Sequence, residues 1–345
     1  AVAFTVILVA LVKPIVVLIA TPQEAVAGTS IYLLICFIGI PFITAYNIIS
    51  SIFRGLGDSK SPMYFIGIAC VMNIALDYLF MGAFHMGAAG AALGTVCAQT
   101  FSVLVALWVI RRRKTGISLK KSDFKIERAV IGQVLKIGIP VALQDGFIQV
   151  AFMIITVIAN SRGVSDAAAV GIVEKVISAL FIVPSSMLAT VSALSAQNFG
   201  AGKEKRATDT LRYATVITTI YGVIVAVLIQ FIAENVVGIF TSDTTVVTMG
   251  SAYIRSYIWD CIFAGIHFSF SGYFAACGKS YIGFLHNIIS ITFVRVPGSY
   301  LASKYFTDTL YPMGLAAPAG SLVSVAICVT AFILLKRKSR VAQTA

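Results

Sequence analysis

Long apolar stretches separated by short polar segments cover nearly the whole chain. Ten of them have the length that an α-helix needs to cross a bilayer, about 20 residues. They lie near residues 2–20, 29–52, 62–82, 87–110, 131–159, 166–196, 209–233, 246–275, 281–303 and 313–335. The pattern predicts an all-α integral membrane protein.

The composition agrees with this prediction and excludes an ordinary soluble domain. Of the 345 residues, 59% are hydrophobic and 12% are charged, and the mean hydropathy is +0.94. The six cysteines are scattered singly along apolar stretches, and three histidines are too few for a histidine metal cluster. We therefore expect neither a disulfide framework nor a cofactor.

The net charge of +12 is concentrated in alternate loops. The basic loops and tail hold Arg54, Lys60, the cluster from Arg111 to Arg128, Lys203, Lys205, Arg206, Arg212, Lys279 and the residues from Lys336 to Arg340. The opposite loops hold only Arg162 and Lys304. This distribution predicts a cell-membrane protein whose basic loops and C-terminus are cytoplasmic. The positive charge therefore sets topology and attracts membrane lipids, and we expect no nucleic-acid partner.

The same four-helix unit occurs twice, about 221 residues apart. IFRGLGDSK at 52–60 matches YFAACGKS at 273–280, and MGAAGAALGT at 86–95 echoes MGLAAPAGS at 313–321. Internal repeats of apolar segments are typical of transporters that move two halves around a central site.

The second copy follows two further spans that have no counterpart before the first. We therefore expect two six-helix bundles related by a pseudo-twofold axis along the membrane normal, with the first two helices missing from this chain. The expected parts are an N-lobe at 1–110, a cytoplasmic linker at 111–130 and a C-lobe at 131–345. We expect a monomer.

Three motifs together resemble the MATE family of multidrug and toxin extrusion transporters, in its DinF-like bacterial branch. They are FRGLGDSKSP at 53–62, KIGIPVALQ at 136–144 and SALSAQNFGAGKEKRA at 192–207. In the first motif, Gly57 can end one helix and Asp58 or Ser59 can cap the next, so we expect a tight structural turn. The resemblance implies the MATE fold and transport without enzymatic activity.

A candidate coupling site lies in the span at 62–82. Asn73 and Asp77 are four residues apart and therefore share one helix face. A carboxylate inside a membrane is costly unless it is paired, hydrated or protonated, which suggests a site for H⁺ or Na⁺. The resemblance implies that this pair faces the N-lobe cavity with Thr95, and the only metal we expect is Na⁺ at Asp77. A structural hydrogen bond between packed helices is the alternative.

Candidate substrate-cavity residues lie in the second half of the chain. Gln144 and Asp145 follow Pro140 in a span, and Gln144 matches the opening of the corresponding MATE helix. Asp260 lies in the span at 246–275. We expect all three to line the cavity and the two acids to attract cationic compounds, unless the acids pair with Arg255 or Arg295 in a structural role. Aromatic and sulfur side chains could add adaptable contacts or only pack: Tyr46, Met72 and Phe147. No role is assigned to Lys13, Glu174 or Lys175.

The predicted function is secondary active export of amphipathic, often cationic small molecules in exchange for H⁺ or Na⁺, by alternating access. One alternative is a lipid-linked oligosaccharide flippase of the same superfamily, which needs a cationic cavity. The intramembrane acids argue against a flippase, whereas Lys13, Arg255 and Arg295 keep it open. A membrane-embedded enzyme is a remote alternative, because the sequence contains neither HExxH nor GxSxG.

Overall fold

The computed structural model describes residues 1–18, 23–112 and 127–344, and the regular structure in these ranges is helical. The predicted all-α class is therefore confirmed. The chain divides into two compact units, Ala1–Lys125 and Ile126–Ala345. Most of the predicted linker, residues 113–126, lies outside the described residues.

The described residues of the N-terminal unit form five α-helices and one π-helical turn. These are α1 (Val2–Ala10), α2 (Val12–Leu18), α3 (Gln23–Gly55), α4 (Lys60–Asp77), the π-helical turn Tyr78–Ala83 and α5 (Gly87–Arg112). Helix α5 packs against both α3 and α4. Its buried positions include Gly90, Ala92, Gly94 and Ala98, and such small residues let neighbouring helices approach closely.

The glycine-rich turn between α3 and α4 has the structural role predicted for it. Gly57 has a φ of +88°, and its amide donates to the Arg54 carbonyl. The Asp58 carboxylate accepts hydrogen bonds from the Lys60 and Ser61 amides at 3.1 and 3.0 Å. The side chain of Asp58, and not that of Ser59, therefore caps α4.

The C-terminal unit contains the remaining helices. They are α6 (Arg128–Asn160), α7 (Val164–Leu180), α8 (Ile182–Gly200), α9 (Glu204–Gly238), α10 (Thr244–Tyr257), α11 (Asp260–Ala276), α12 (Tyr281–Ser290), the π-helical turn Ile291–Arg295, α13 (Val296–Tyr305), α14 (Tyr311–Gly314) and α15 (Ala316–Thr344). Helix α11 is central, because it packs against α8, α9 and α15. A Cβ atom at Gly272 would lie 2.4 Å from the Leu188 carbonyl oxygen of α8, so only glycine allows this approach.

Seven helical segments of the described chain are long and apolar enough to cross a membrane. They are Ala25–Gly55, Lys60–Ala83, Gly87–Arg112, Arg128–Asn160, Val164–Gly200, Glu204–Gly238 and Tyr311–Arg337. The other three predicted spans are helical in their described residues but do not form long, continuous apolar helices. The segment at 2–20 is described only to residue 18, and the segment at 246–275 is divided after Tyr257. The segment at 281–303 contains His286, Asn287 and Arg295, which lower its hydropathy.

A half-buried guanidinium group, that of Arg162, holds two loops of the C-terminal unit together. Arg162 Nε donates to the Asp166 carboxylate at 2.6 Å, and their side chains are only 7% and 13% exposed. The other guanidinium nitrogens donate to four backbone carbonyls in and after α13, those of Ser303, Phe306, Thr307 and Thr309. The planar fork of an arginine can satisfy this many acceptors at once, whereas a lysine cannot.

We predict that Arg162→Gln strongly destabilises the protein. The substitution leaves the half-buried Asp166 carboxylate without its cation and several carbonyls without donors, which costs about 2 kcal/mol or more. The measurement is the free energy of unfolding in detergent micelles. Glu234→Gln is the control, because it removes a Glu234–Arg255 pair whose glutamate is 64% exposed and is expected to cost about 1 kcal/mol or less. An equal loss of unfolding free energy in the two variants would contradict the conclusion that the Arg162 contacts stabilise the protein.

Candidate functional site

The structure brings Asn73 and Asp77 together at the end of α4. Asn73 Nδ2 donates a hydrogen bond to Asp77 Oδ1 at 3.3 Å, and both side chains are half-buried. Asp77 is the last residue of the α-helix, and the π-helical turn Tyr78–Ala83 follows directly. π-Helical turns inside α-helices are frequent at functional sites.

The Asp77 carboxylate packs against the backbone of α5 at Gly94. A Cβ atom at Gly94 would lie 2.2 Å from Asp77 Oδ1 and 3.5 Å from Asn73 Nδ2. Glycine at this position therefore gives the acid and the amide room between α4 and α5. Sequence reasoning did not assign Gly94 to the site, although it lies in the small-residue run MGAAGAALGT.

Thr95 follows Gly94 directly and is half-buried. Its hydroxyl donates to the Ala91 carbonyl of the same helix at 3.1 Å. A hydroxyl oxygen that donates in this way keeps its lone pairs for a cation or a donor. Thr95 is therefore on the part of α5 that contacts Asp77, with an acceptor still available.

Tyr32 lies on α3, which packs against α5. The direct contacts of the Asp77 carboxylate come from Asn73 of α4 and Gly94 of α5. The site therefore draws on α4 and α5 of the N-terminal unit.

The Asp77 carboxylate has the Asn73 amide as its hydrogen-bonding neighbour and lies against Gly94, the residue before Thr95. Neither of the two ion pairs found among the described residues involves Asp77. Hard cations prefer oxygen ligands, and an unpaired intramembrane carboxylate can also take up a proton.

The three candidate cavity residues of the C-terminal unit have different surroundings. Gln144 is 3% exposed, and its Oε1 lies 2.9 Å from where a Gly283 Cβ would be, so it packs against α12. Asp145 is exposed on another face of α6. Asp260 is 1% exposed and has Ser321 as a hydrogen-bonding neighbour. No ion pair of the described chain joins these three side chains.

The other side chains singled out from the sequence are also placed. Tyr46 is 8% exposed and belongs to the core cluster of the N-terminal unit, which favours the packing interpretation. The Phe147 ring lies 5.7 Å from that of Phe284, and Met72 lines an apolar groove along α4. Lys13 and Lys175 are exposed.

A family model described as MatE matches residues 1–79 and 140–301, which include Asn73, Asp77, Gln144, Asp145 and Asp260. The chain belongs to the MatE family. It is therefore a multi-pass membrane protein of a transporter family.

Curated relatives of this MatE chain include two bacterial proteins named for drug resistance or export. It is 32% identical over 299 residues to the probable multidrug resistance protein YpnP of Bacillus subtilis (strain 168), covering 86% of this chain and 66% of YpnP. It is 24% identical over 256 residues to the multidrug export protein MepA of Staphylococcus aureus (strain MSSA476), covering 74% of this chain and 56% of MepA. This MatE chain thus spans about two thirds or less of these relatives.

Solved structures share the fold. A MATE protein in the bent conformation has a TM-score of 0.88 at 20% identity, covering 99% of this chain and 76% of that protein. A MATE protein in the straight conformation also has a TM-score of 0.88, at 18% identity, covering 100% of this chain and 76% of that protein.

We predict that Gly94→Ala displaces the Asp77 carboxylate. The added Cβ cannot coexist with Oδ1, so the Asn73–Asp77 hydrogen bond breaks at a cost of about 1 kcal/mol in the free energy of unfolding. The matched control is Gly67→Ala in α4, where a Cβ meets no atom within 4 Å. This control is expected to be neutral, or stabilising by up to about 1 kcal/mol, because alanine favours a helix. Identical unfolding curves for the two variants would show that α5 does not confine Asp77.

Proposed function

We propose that this MatE chain carries out secondary active multidrug efflux, exporting amphipathic and often cationic compounds in exchange for H⁺ or Na⁺. The observation that carries the proposal is the Asn73–Asp77 pair, half-buried between α4 and Gly94 of α5. The names of YpnP and MepA support the substrate class. In the proposed orientation, the basic loops and the C-terminus lie on the cytoplasmic side of the membrane.

The coupling step follows from the cost of charge in an apolar medium. Without a bound cation, the Asp77 carboxylate is charged and favours a state in which water reaches it. Uptake of H⁺ or Na⁺ neutralises it and favours a state in which α4 and α5 enclose it. A cation that binds the two states with different affinity shifts the equilibrium between them by that difference. A substrate that prefers the state in which water reaches Asp77 is then released. In this way the protein exchanges substrate for the cation.

The substrate cavity needs groups that attract cations without demanding one shape. Asp145 offers an exposed carboxylate on α6. An exposed carboxylate attracts cations of varied structure without requiring one shape. The buried Gln144 holds α6 against α12 and so positions this part of α6.

The test is transport in proteoliposomes by the full-length protein. A fluorescent lipophilic cation is followed under an imposed proton gradient and then under a Na⁺ gradient. Asp77→Asn keeps the size of the side chain but can no longer gain or lose a charge. We expect the rate of gradient-driven transport to fall at least about 100-fold. This decrease corresponds to a loss of about 2.7 kcal/mol. Asp308→Asn, in an exposed loop, is the control and should transport like the wild type.

Each other outcome has a definite meaning. If gradient-driven transport survives in Asp77→Asn, Asp77 is not the coupling site, and the hypothesis of a coupling site in the N-terminal unit is wrong. If the wild type moves no cation under either gradient, efflux is wrong and the lipid-linked oligosaccharide flippase becomes the better hypothesis.

A second variant tests the substrate interaction. We predict that Asp145→Asn raises the concentration of a cationic substrate needed for half-maximal transport about 10-fold, which corresponds to about 1.4 kcal/mol of lost attraction. Transport of an uncharged amphipathic substrate should change little, because it does not interact with the charge. The same loss for both substrates would instead indicate a structural role for Asp145.

A further inference from the structure

A cleft at one end of the C-terminal unit combines lysines with aromatic rings. It lies where α8 ends and α9 begins, beside the last turns of α11 and the basic end of α15. The candidate membrane spans that border it end or begin at Gly200, Glu204 and Arg337. The cleft is therefore at the level where the hydrocarbon core of the bilayer gives way to the lipid headgroups.

Three aromatic side chains form an apolar wall of the cleft. The ring centres of Phe199 and Tyr273 are 5.6 Å apart, and those of Tyr273 and Phe332 are 5.5 Å apart. Tyr273 belongs to a buried core cluster, against which Phe199 and Phe332 pack. The wall is therefore held in place by the core, and it offers apolar contact to a ligand that enters from the lipid side.

Three lysines border the same cleft from different elements. They are Lys205 in the first turn of α9, Lys279 in the turn before α12 and Lys336 near the end of α15. The Lys336 Nζ atom lies 4.9 Å from the centre of the Phe332 ring, so a positive charge stands next to the apolar wall. Neither of the two ion pairs in the described part of the chain involves these lysines. Their charges can therefore serve an anion, and lysine is a common phosphate-binding residue.

Two acidic side chains, Glu204 and Asp209, also line the cleft. Three lysines and two acids give the lining a formal charge of +1. The adjoining turn adds the exposed Lys203 and Arg206, so the surroundings are more strongly positive. Carboxylates accept hydrogen bonds from hydroxyl groups. The polar lining therefore matches a ligand that carries one negative charge together with hydroxyl donors.

The size of the cleft indicates more than a phosphate group. Its volume is about 470 Å³, within the range of roughly 300–1,000 Å³ that is typical of sites for whole small molecules. A lone phosphate would fill only a small part of this space, and a soluble phosphate ester would leave the aromatic wall without a partner. A ligand that meets both parts of the lining has an anionic headgroup and an apolar chain.

We infer that this cleft binds an anionic phosphoglyceride whose headgroup carries free hydroxyls, such as phosphatidylglycerol. The phosphodiester lies among Lys205, Lys279 and Lys336, and the headgroup hydroxyls donate to Glu204 or Asp209. The glycerol backbone and the start of an acyl chain lie along the aromatic wall. Basic clefts between helices at the membrane surface are suited to such headgroups. The site is separate from Asp77 and does not rest on the proposed efflux activity.

The test is a lipid titration of Tm with the full-length protein in detergent micelles. Phosphatidylglycerol is added at rising mole fractions, and phosphatidylcholine is the comparison lipid because it carries no net charge. A ligand that binds only the folded state raises Tm, so we expect phosphatidylglycerol to raise Tm and phosphatidylcholine to change it little. Equal effects of the two lipids would overturn the inference, because the lysines would then play no part.

Single-charge variants assign the effect to the cleft. Lys279→Gln and Lys336→Gln should each raise the mole fraction of phosphatidylglycerol needed for the half-maximal rise in Tm about 5-fold, which corresponds to about 1 kcal/mol for one lysine. The matched control is Lys60→Gln, which removes one exposed lysine from the basic turn before α4, outside the cleft. It should titrate like the wild type. If both cleft variants titrate like Lys60→Gln, the lipid does not bind in this cleft.

Two further comparisons separate charge from packing and lipid from soluble phosphate. Lys336→Arg keeps the positive charge and should titrate like the wild type. Inorganic phosphate and glycerol 1-phosphate carry the anionic group without acyl chains, and neither should raise Tm at concentrations at which phosphatidylglycerol saturates. If glycerol 1-phosphate raises Tm as much as the lipid does, the cleft binds a soluble phosphate ester and the lipid inference is wrong. The outcome of the Asp77→Asn transport assay does not alter any of these results.

Discussion

The interior of a bilayer holds no water, and the rest of this structure depends on that constraint. Backbone groups must bond within the chain, which helices achieve, and every interior charge needs a local partner or access to water. The described chain forms helices, and Asp77 shows the second rule, because its carboxylate is half-buried and accepts a hydrogen bond from Asn73.

Close helix packing makes these local solutions available. Apolar side chains gain little by leaving lipid for protein, so helices in a membrane associate through close contact of small residues. Gly94 gives Asp77 its place against α5, and Gly272 lets α11 touch the backbone of α8. In both cases the absent Cβ matters more than the flexibility of glycine.

The carboxylates of the two units differ in exposure. In the N-terminal unit, Asp77 is half-buried and has no ion pair among the described residues, which suits a group that gains and loses a cation. In the C-terminal unit, Asp260 is fully buried, whereas Glu174 is half-buried and Asp145 is exposed.

The sequence by itself determined the helical class, the family and the pairing of Asn73 with Asp77. Each of these follows from local order along the chain: apolar length, motif letters, or a four-residue spacing on one helix. The glycine turn with its Asp58 cap is local as well, and it was predicted for the same reason.

Tertiary structure alone decided the contacts between helices that are distant in sequence. It placed Gly94 against Asp77, buried Gln144 while leaving its neighbour Asp145 exposed, and brought Arg295 to Tyr257 and Phe152. Sequence spacing does not reveal which face of a long apolar helix meets which neighbour, since an apolar residue is acceptable both against lipid and against protein. Only the packing of helices separates these surroundings, and it therefore decides which charges are paired, exposed or neutralised.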